Sequence, residues 1–440
     1  MNARRRIVVV GAGSCGCVVA ERLTRDDDIE VILLEAGPSG AADADLRLSV
    51  LPIGASSDRV THHRDASGLG LPRGQGLGGS SAVNGGYFMR WHDDDFIGWE
   101  QQRWDPDTVT RAYDELDGGP HGGGVMSVRR LADDELHPVA HAFEKYWQEA
   151  GYDVVESVSP RVGVNRVRSN SVGALRMPAD RGPLGRARGR GNLSVRTGAR
   201  VERLEVAGAR VSGVRLADGE TIAAHETILC AGTLASAALI ARSTGVGATH
   251  RIAEHRELLV RCALTDNAHA TPRPLLPTVL HTEDFMEIRC YNGDFAHYIE
   301  GLAPTASAIG VALMAPRTVG TLTIDETGRQ QVDLGTVDPS DVERMRSWAR
   351  RVQEMVTGPA FSGLLDPGTA TVDETILTSQ HAWGSMPMGR ATDWLGVPTG
   401  FDGLRVIDGS ILPTPGSSGP HETQMMMAST IVDAIVTEAR

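Results

Sequence analysis

Two glycine clusters and one carboxylate are the places in this chain where residue type and spacing could first do chemistry. Gly11, Gly13 and Gly16 stand as G-x-G-x-x-G within "RIVVVGAGSCGCVVAERL". In such a turn the first glycine allows a tight reversal and the second lets backbone approach a pyrophosphate. The third lets helix and strand pack closely, and Ser14 joins the phosphate-facing set at the helix start. The next apolar run, "EVILLEAG", ends in Glu35, 19 residues after Gly16. A carboxylate there accepts hydrogen bonds from ribose hydroxyls and repels a 2′-phosphate. The pattern points to an unphosphorylated adenosine and leaves FAD and NAD both open.

The second cluster is "RGQGLGGSSAVNGG", residues 73–86, with six glycines, two serines and one asparagine. It lies outside the first strand-turn-helix unit, so it is expected to serve a separate purpose from the pyrophosphate cradle. Loss of side-chain bulk lets backbone amides lie against a flat or anionic group, and Asn84 adds a neutral amide. A flavin ring held at its edge fits those needs; a mobile surface loop is the alternative.

The elements that must position these residues are legible around them. A β-branched run precedes the first turn, and Val18, Val19, Ala20 and Leu23 follow at helical spacing. Residues 191–220 alternate apolar and polar positions with turn punctuation, as antiparallel strands do. Glycine- and proline-rich stretches at 117–124 and 181–191 mark loops. The length of 440 residues allows two or three domains, and no internal repeat is visible.

A net charge of −13 argues against nucleic acid or an anionic membrane as the main partner. The five scattered cysteines make no C-x-x-C pair, which fits a reducing, cytoplasmic setting. The arginines before the first apolar run imitate a signal peptide, but a glycine turn interrupts the run at once, so it reads as a strand. No run reaches the length of a transmembrane helix, which leaves peripheral membrane contact. His137 with His141 lacks the glutamate and third ligand of a zinc site, and the adjacent His62 and His63 cannot converge on one ion; no metal is expected.

"RGQGLGGSSAVN", Arg73 to Asn84, resembles the first signature of the glucose-methanol-choline (GMC) flavoprotein oxidoreductases. The resemblance covers nearly the whole chain. "DFIGWEQQRW" resembles the family's entry into its cap region, and "ETILCAGTLASAALIARSTGVG" its second signature, with a strand ending at Ala231 and Gly232. "HAWGSMPMG" and "GLRVIDGSILPT" resemble its C-terminal pattern. The implied fold is α/β, a discontinuous Rossmann-like FAD-binding domain with a second, substrate-binding domain built on an antiparallel sheet. The expected division is 1–95, 190–252 and 380–440 for FAD, and 96–189 and 253–379 for the substrate-binding cap.

The resemblance implies FAD, held non-covalently because no histidine lies between Arg73 and Asn84. It implies that Arg73, Gly78, Gly79, Ser80 and Asn84 lie along the flavin, with Val201, Ala231, Gly232, Asp408 and Thr423 completing the cofactor set. The helix from about Thr423 would aim its positive end at the flavin and stabilise its anionic reduced form. Asn84, His381 and His421 form the expected catalytic set, with His381 taking the hydroxyl proton as hydride leaves the alcohol carbon.

One departure stands out. Family members carry a second His or Asn in N-P-x-x-T, whereas this chain has "GPHET", which puts Gly419 at that place. Either His421 reaches the site through an altered loop, or His381 works with substrate or water; the expectation is that His421 reaches it. "VLPIGASSDRV", "VNGGYFMRW" and "GPHET" further resemble the mycofactocin-associated GMC members of actinobacteria. That implies a glycosylated, peptide-derived redox cofactor as substrate and a respiratory-chain electron acceptor. An oxidase or dehydrogenase of a small or aliphatic alcohol, using oxygen or a quinone, is the alternative, followed by a flavoprotein without redox turnover.

Overall fold

The computed structural model describes residues 4–265 and 273–438. The β-branched run Arg5–Val10 is the middle strand of a five-stranded parallel sheet. Its order is Leu193–Arg196, Ile29–Leu34, Arg5–Val10, Glu226–Leu229 and Leu404–Val406, so three distant parts of the chain meet in it. Ile7, Val8 and Val9 are fully buried, each worth ~1.5–3 kcal/mol of apolar transfer. Helices Ser14–Leu23 and His421–Glu438 pack on each other beside this sheet, and Ala235–Thr244 packs on the strand Val201–Ala207. Parallel strands covered in this way lose one-sided alternation and read as continuous apolar runs.

The stretch expected as antiparallel strands divides. Leu193–Arg196 joins the parallel sheet, while Val201–Ala207, Arg210–Leu216 and Thr221–Ala223 form a separate antiparallel meander.

An eight-stranded, mostly antiparallel sheet forms the second part of the fold. At its centre Ser307–Leu313 lies between Arg256–Cys262 and Met286–Cys290, and Thr278–His281 follows. One face carries Leu258, Val260, Ile288, Val311 and their neighbours against helices Pro138–Glu149 and Pro339–Thr357. By the period of two, the opposite face carries Glu257, Leu259 and Arg261 on one strand and Glu287, Arg289 and Tyr291 in line with the next.

The chain is therefore α/β with a parallel nucleotide-type sheet and an antiparallel second sheet. Two stretches cross the expected division. Helix Pro106–Asp117 packs on His421–Glu438, and Leu322, Ile324, Val332 and Leu334 pack into the core around the parallel sheet. Strand Gly320–Ile324 reaches that core by pairing with Ala248–Ile252. An amphipathic pattern shows that a face is buried, not which core buries it.

Candidate active site

The two glycine clusters form one structure. Gly11 has φ +98°, and a Cβ on it would lie 2.5 Å from the Cys230 carbonyl oxygen. A Cβ on Gly16 would lie 1.9 Å from the Gly11 oxygen, which is the close helix-strand packing the pattern requires. The second cluster docks directly onto this turn. Gly78 N–H donates to the Ala12 carbonyl at 2.9 Å, and a Cβ on Gly79 would meet the Gly13 Cα at 2.8 Å.

Glu35 stitches the two together. Its carboxylate accepts from Ala12 N–H at 2.8 Å, Gly37 N–H at 2.8 Å and Gly76 N–H at 3.0 Å. A carboxylate has about four acceptor positions, which leaves one for a ribose hydroxyl. The Ser14–Leu23 helix starts at Gly13 with no side-chain cap and no acidic residue in its first turn. Its N–H groups are thus open to an anion. These features fit the pyrophosphate and ribose of FAD.

A cavity of about 890 Å³ runs along these elements. Gly11, Gly13, Ser14, Glu35, Arg73, Gly79, Ser80, Asn84, Val201, Ala231, Gly232, Asp408, His381 and His421 all line it. Asp408 is fixed by Gly232 N–H at 2.8 Å, the Ser236 hydroxyl at 2.6 Å and Ser410 N–H at 2.8 Å. Three expected cofactor residues lie behind the wall instead. Gly16 and Gly78 are used up in packing and turn formation, with Gly78 at φ +90°. Thr423 is fully buried and shares a 2.6 Å hydrogen bond with Tyr113, because the last helix begins at His421 and Thr423 falls on its inner side.

At the far end the expected catalytic residues converge on the cavity. Asn84 Nδ2 meets His421 Nδ1 at 3.2 Å, while Asn84 Oδ1 accepts from Gly86 N–H at 2.9 Å. The amide nitrogen can only donate, so His421 accepts at Nδ1 and carries its hydrogen on Nε2, which is buried without a partner. Burial pushes the His421 imidazole down to about 4. Gly419 faces His381: a Cβ there would lie 3.3 Å from both Cε1 and Nε2 of that ring. His421 thus reaches the cavity beside Asn84, and no side chain fills the place at 419.

His381 is held from three sides that the sequence did not announce. Its backbone N–H donates to Glu254 at 2.7 Å, and Ala382 N–H donates to the same carboxylate at 2.9 Å. Its Nδ1 lies 2.9 Å from Nδ1 of His255. Gln380, at φ +67°, accepts from Arg73 at 2.9 Å and donates to the Gly70 carbonyl at 3.0 Å. Arg73 lines the cavity, but its described bonds go to this loop and to its own neighbour Pro72. Burial first, then His255 and Arg289, hold the His381 imidazole well below the ordinary histidine value. It stands neutral at pH 7, as an acceptor of protons must.

The wall beyond is charged. Glu287 accepts from Tyr87 at 2.8 Å and from Arg289 at 2.6 Å, and pairs with His281 at 2.9 Å. Glu257 accepts from Tyr291 at 2.6 Å. Burial works to raise Glu287, but Arg289 and His281 outweigh it and hold the carboxyl well down. Burial raises Glu257. The signal for this wall was present in the alternation of "HRELLVRC" and "MEIRCY", which reads as a strand with one solvated face.

Comparison with known proteins agrees with this geometry. Sequence models of the GMC oxidoreductase family match residues 6–267 and 316–428. The chain is 32% identical to an uncharacterised GMC-type oxidoreductase of Rhodococcus erythropolis, with 96% of each chain covered. It is 28% identical to pyridoxine 4-oxidase of Microbacterium luteolum, over 97% of this chain and 98% of that one. A crystal structure of pyridoxine 4-oxidase from Mesorbium loti superposes with a TM-score of 0.87 at 23% identity, covering 99% of both chains. Formate oxidase follows with a TM-score of 0.84 at 16% identity, covering 100% of this chain and 99% of that one. A glycine cradle joined to a second glycine-rich loop, with a neutral histidine lining the same cavity, is thus carried by a member of the GMC oxidoreductase family, an FAD-dependent enzyme acting on CH–OH donors.

Proposed function

We propose that the protein is an alcohol dehydrogenase in which His381 takes the hydroxyl proton and FAD, when bound, accepts the hydride at N5. The observation that carries this reading is the convergence of His381, His421 and Asn84 on the cavity that begins at the Glu35 cradle. Gly11, Gly13 and Ser14 would hold the pyrophosphate, Glu35 the ribose, and Gly79, Ser80 and Asn84 the flavin edge. His381 Nε2 accepts the O–H proton as the C–H bond breaks, so the alcohol loses one proton and one hydride and becomes a carbonyl. Asn84 orients His421 so that its Nε2–H can hold the substrate oxygen. In this reading residues 1–95, 190–252 and 380–440 serve FAD, and 96–189 and 253–379 serve the substrate.

The substrate we propose is reduced mycofactocin, oxidised from alcohol to ketone, with electrons passed towards the respiratory chain by a cytoplasmic protein that docks at the inner face of the membrane. Two observations support it. The stretches at 50–60, 83–91 and 419–423 resemble the mycofactocin-associated members. Gly419 keeps a side chain from crowding the Nε2 edge of His381, where the carbinol oxygen would approach. Among the described residues no helix is long and apolar enough to cross a membrane. The alternative is a small-alcohol oxidase or dehydrogenase, which the resemblance to pyridoxine 4-oxidase favours. Turnover of mycofactocinol and of simple alcohols, each with oxygen and with a quinone, separates the two. Faster turnover of simple alcohols with oxygen would remove the mycofactocin assignment.

A further inference from the structure

His255 lies outside every sequence motif above, yet its ring meets that of His381 edge-on. The ring centroids are 5.1 Å apart, the planes are at 90°, and the two Nδ1 atoms are 2.9 Å apart. Two imidazole nitrogens at that distance share one hydrogen: one must donate and the other accept. We propose that His255 is the acceptor and thereby fixes the tautomer of His381. The hydrogen of His381 then sits on Nδ1, and the Nε2 lone pair is turned to the cavity.

Geometry gives each nitrogen its place. His381 Nε2 faces Gly419, which lines the cavity, and His381 Nδ1 faces away towards His255. With Nδ1 of His255 taken, its own hydrogen belongs on Nε2. That atom is buried without a hydrogen-bond partner within bonding distance. Among the backbone groups around the ring, Met314 acts to favour its protonated form, as a carbonyl that accepts from a ring N–H does. Its N–H is already donated to the Phe285 carbonyl at 3.0 Å, so its carbonyl is the free group, and a carbonyl only accepts. The opposite arrangement would leave a bare lone pair on His255 Nε2, against the influence of Met314, and would turn His381 Nε2–H towards the alcohol, where it could not take a proton.

The His255 ring has little freedom to depart from this. Trp383 packs on it with centroids 4.6 Å apart. Ala253 and Trp383 exchange backbone hydrogen bonds of 3.0 Å in both directions, and Glu254 holds the amides of His381 and Ala382. Segments 253–255 and 381–383 are thus joined by backbone, carboxylate and ring. Burial, with Arg289 adding to it, holds His255 down to about 3, so it stays neutral and remains an acceptor. His255 is a positioning residue: it acts on the substrate through His381, in the way that a buried partner sets the tautomer of a catalytic histidine elsewhere.

This inference rests on His381 being the proton acceptor, and the test separates the two claims. Long-range ¹H–¹⁵N correlation on ¹⁵N-histidine-labelled, FAD-loaded protein reads each ring's tautomer directly, with His381 assigned by its loss in His381→Gln. The expected result is an Nδ1–H tautomer for His381. It should shift towards Nε2–H in His255→Phe and persist in His255→Asn, whose amide oxygen can accept at the same place. Flavin bleaching by mycofactocinol should slow at least about tenfold in His255→Phe and recover in His255→Asn. An Nε2–H tautomer in the unaltered protein, or no change in His255→Phe, overturns the proposal. If His255→Phe does not fold, the unaltered protein and His255→Asn still decide it. If the tautomers are as expected but His381→Gln bleaches at the unaltered rate, the tautomer lock stands and the base assignment falls.

Discussion

Gly419 stands against the Cε1–Nε2 edge of His381, with the 3.3 Å approach of its missing Cβ to both atoms leaving no room for a larger residue unless a ring moves by a few tenths of an ångström. Tyr87 closes the other side, 3.6 Å from the same point. The place that carries a second polar group in the GMC pattern is therefore closed to a side chain here by His381 and Tyr87. Gly419→Asn should crowd His381 and slow flavin reduction by roughly tenfold. Stopped-flow bleaching of the variant checks this, and an unaltered rate would count against the tight approach of residue 419 to His381.

Glu35 joins the two glycine clusters through three backbone amides. Hydrogen bonds to a charged acceptor are worth about 1.5–3 kcal/mol each, and an amide in its place presents N–H groups to N–H groups. Glu35→Gln should weaken FAD binding about a hundredfold or more. Titration of apoprotein with FAD, followed by quenching of flavin fluorescence, reads this; an affinity within a factor of three of the unaltered protein would remove Glu35 from the cradle.

Gly16 lies outside the cavity and is needed for packing. A methyl group there meets the Gly11 carbonyl at 1.9 Å, a backbone atom that cannot rotate away. Gly16→Ala should lower unfolding stability by about 3 kcal/mol through overpacking and release FAD as a consequence. Denaturant unfolding of the variant, with flavin content measured alongside, is the check.

His255, His381 and His421 are buried with their imidazoles held below the ordinary histidine range. The unfolded chain binds protons on them at higher pH than the folded one does. Their contribution to stability is therefore full above the unfolded value near 6.5 and is lost as pH falls towards the folded values, about 4 for His421. The loss for His421 is on the order of 2 kcal/mol by pH 5. Thermal melts should show a lower Tm at pH 5 than at pH 7.5, and the difference should shrink in His421→Gln. An equal difference in that variant would show that His421 is not buried neutral.

How much could be read beforehand depended on chain distance. Gly11, Gly13, Gly16 and Glu35 fall within one strand-turn-helix-strand unit, so their spacing alone implied the cradle. Asn84 and His381 were legible through motifs whose residues are adjacent in the chain. Glu254, His255, Glu287 and Arg289 were not, since each acts through a partner 32 to 200 residues away; Glu287 and Arg289 sit on a strand whose alternation looks like that of a solvated face, and Glu254 and His255 in the short link before another. The docking of the second glycine cluster on the first was hidden for the same reason: it is made by backbone atoms of Ala12, Gly76, Gly78 and Gly79, which leave no side-chain pattern to read.

The measurement that bears most directly on the whole account is an anaerobic titration of FAD-loaded protein with mycofactocinol, followed by simple alcohols, while flavin absorbance is monitored in the unaltered chain and in His381→Ala. The account predicts bleaching by mycofactocinol in the unaltered protein, slow recovery in air, and at least a hundredfold loss of rate in His381→Ala with flavin still bound. A yellow protein that no alcohol bleaches, or a His381→Ala variant that bleaches at the unaltered rate, would contradict it.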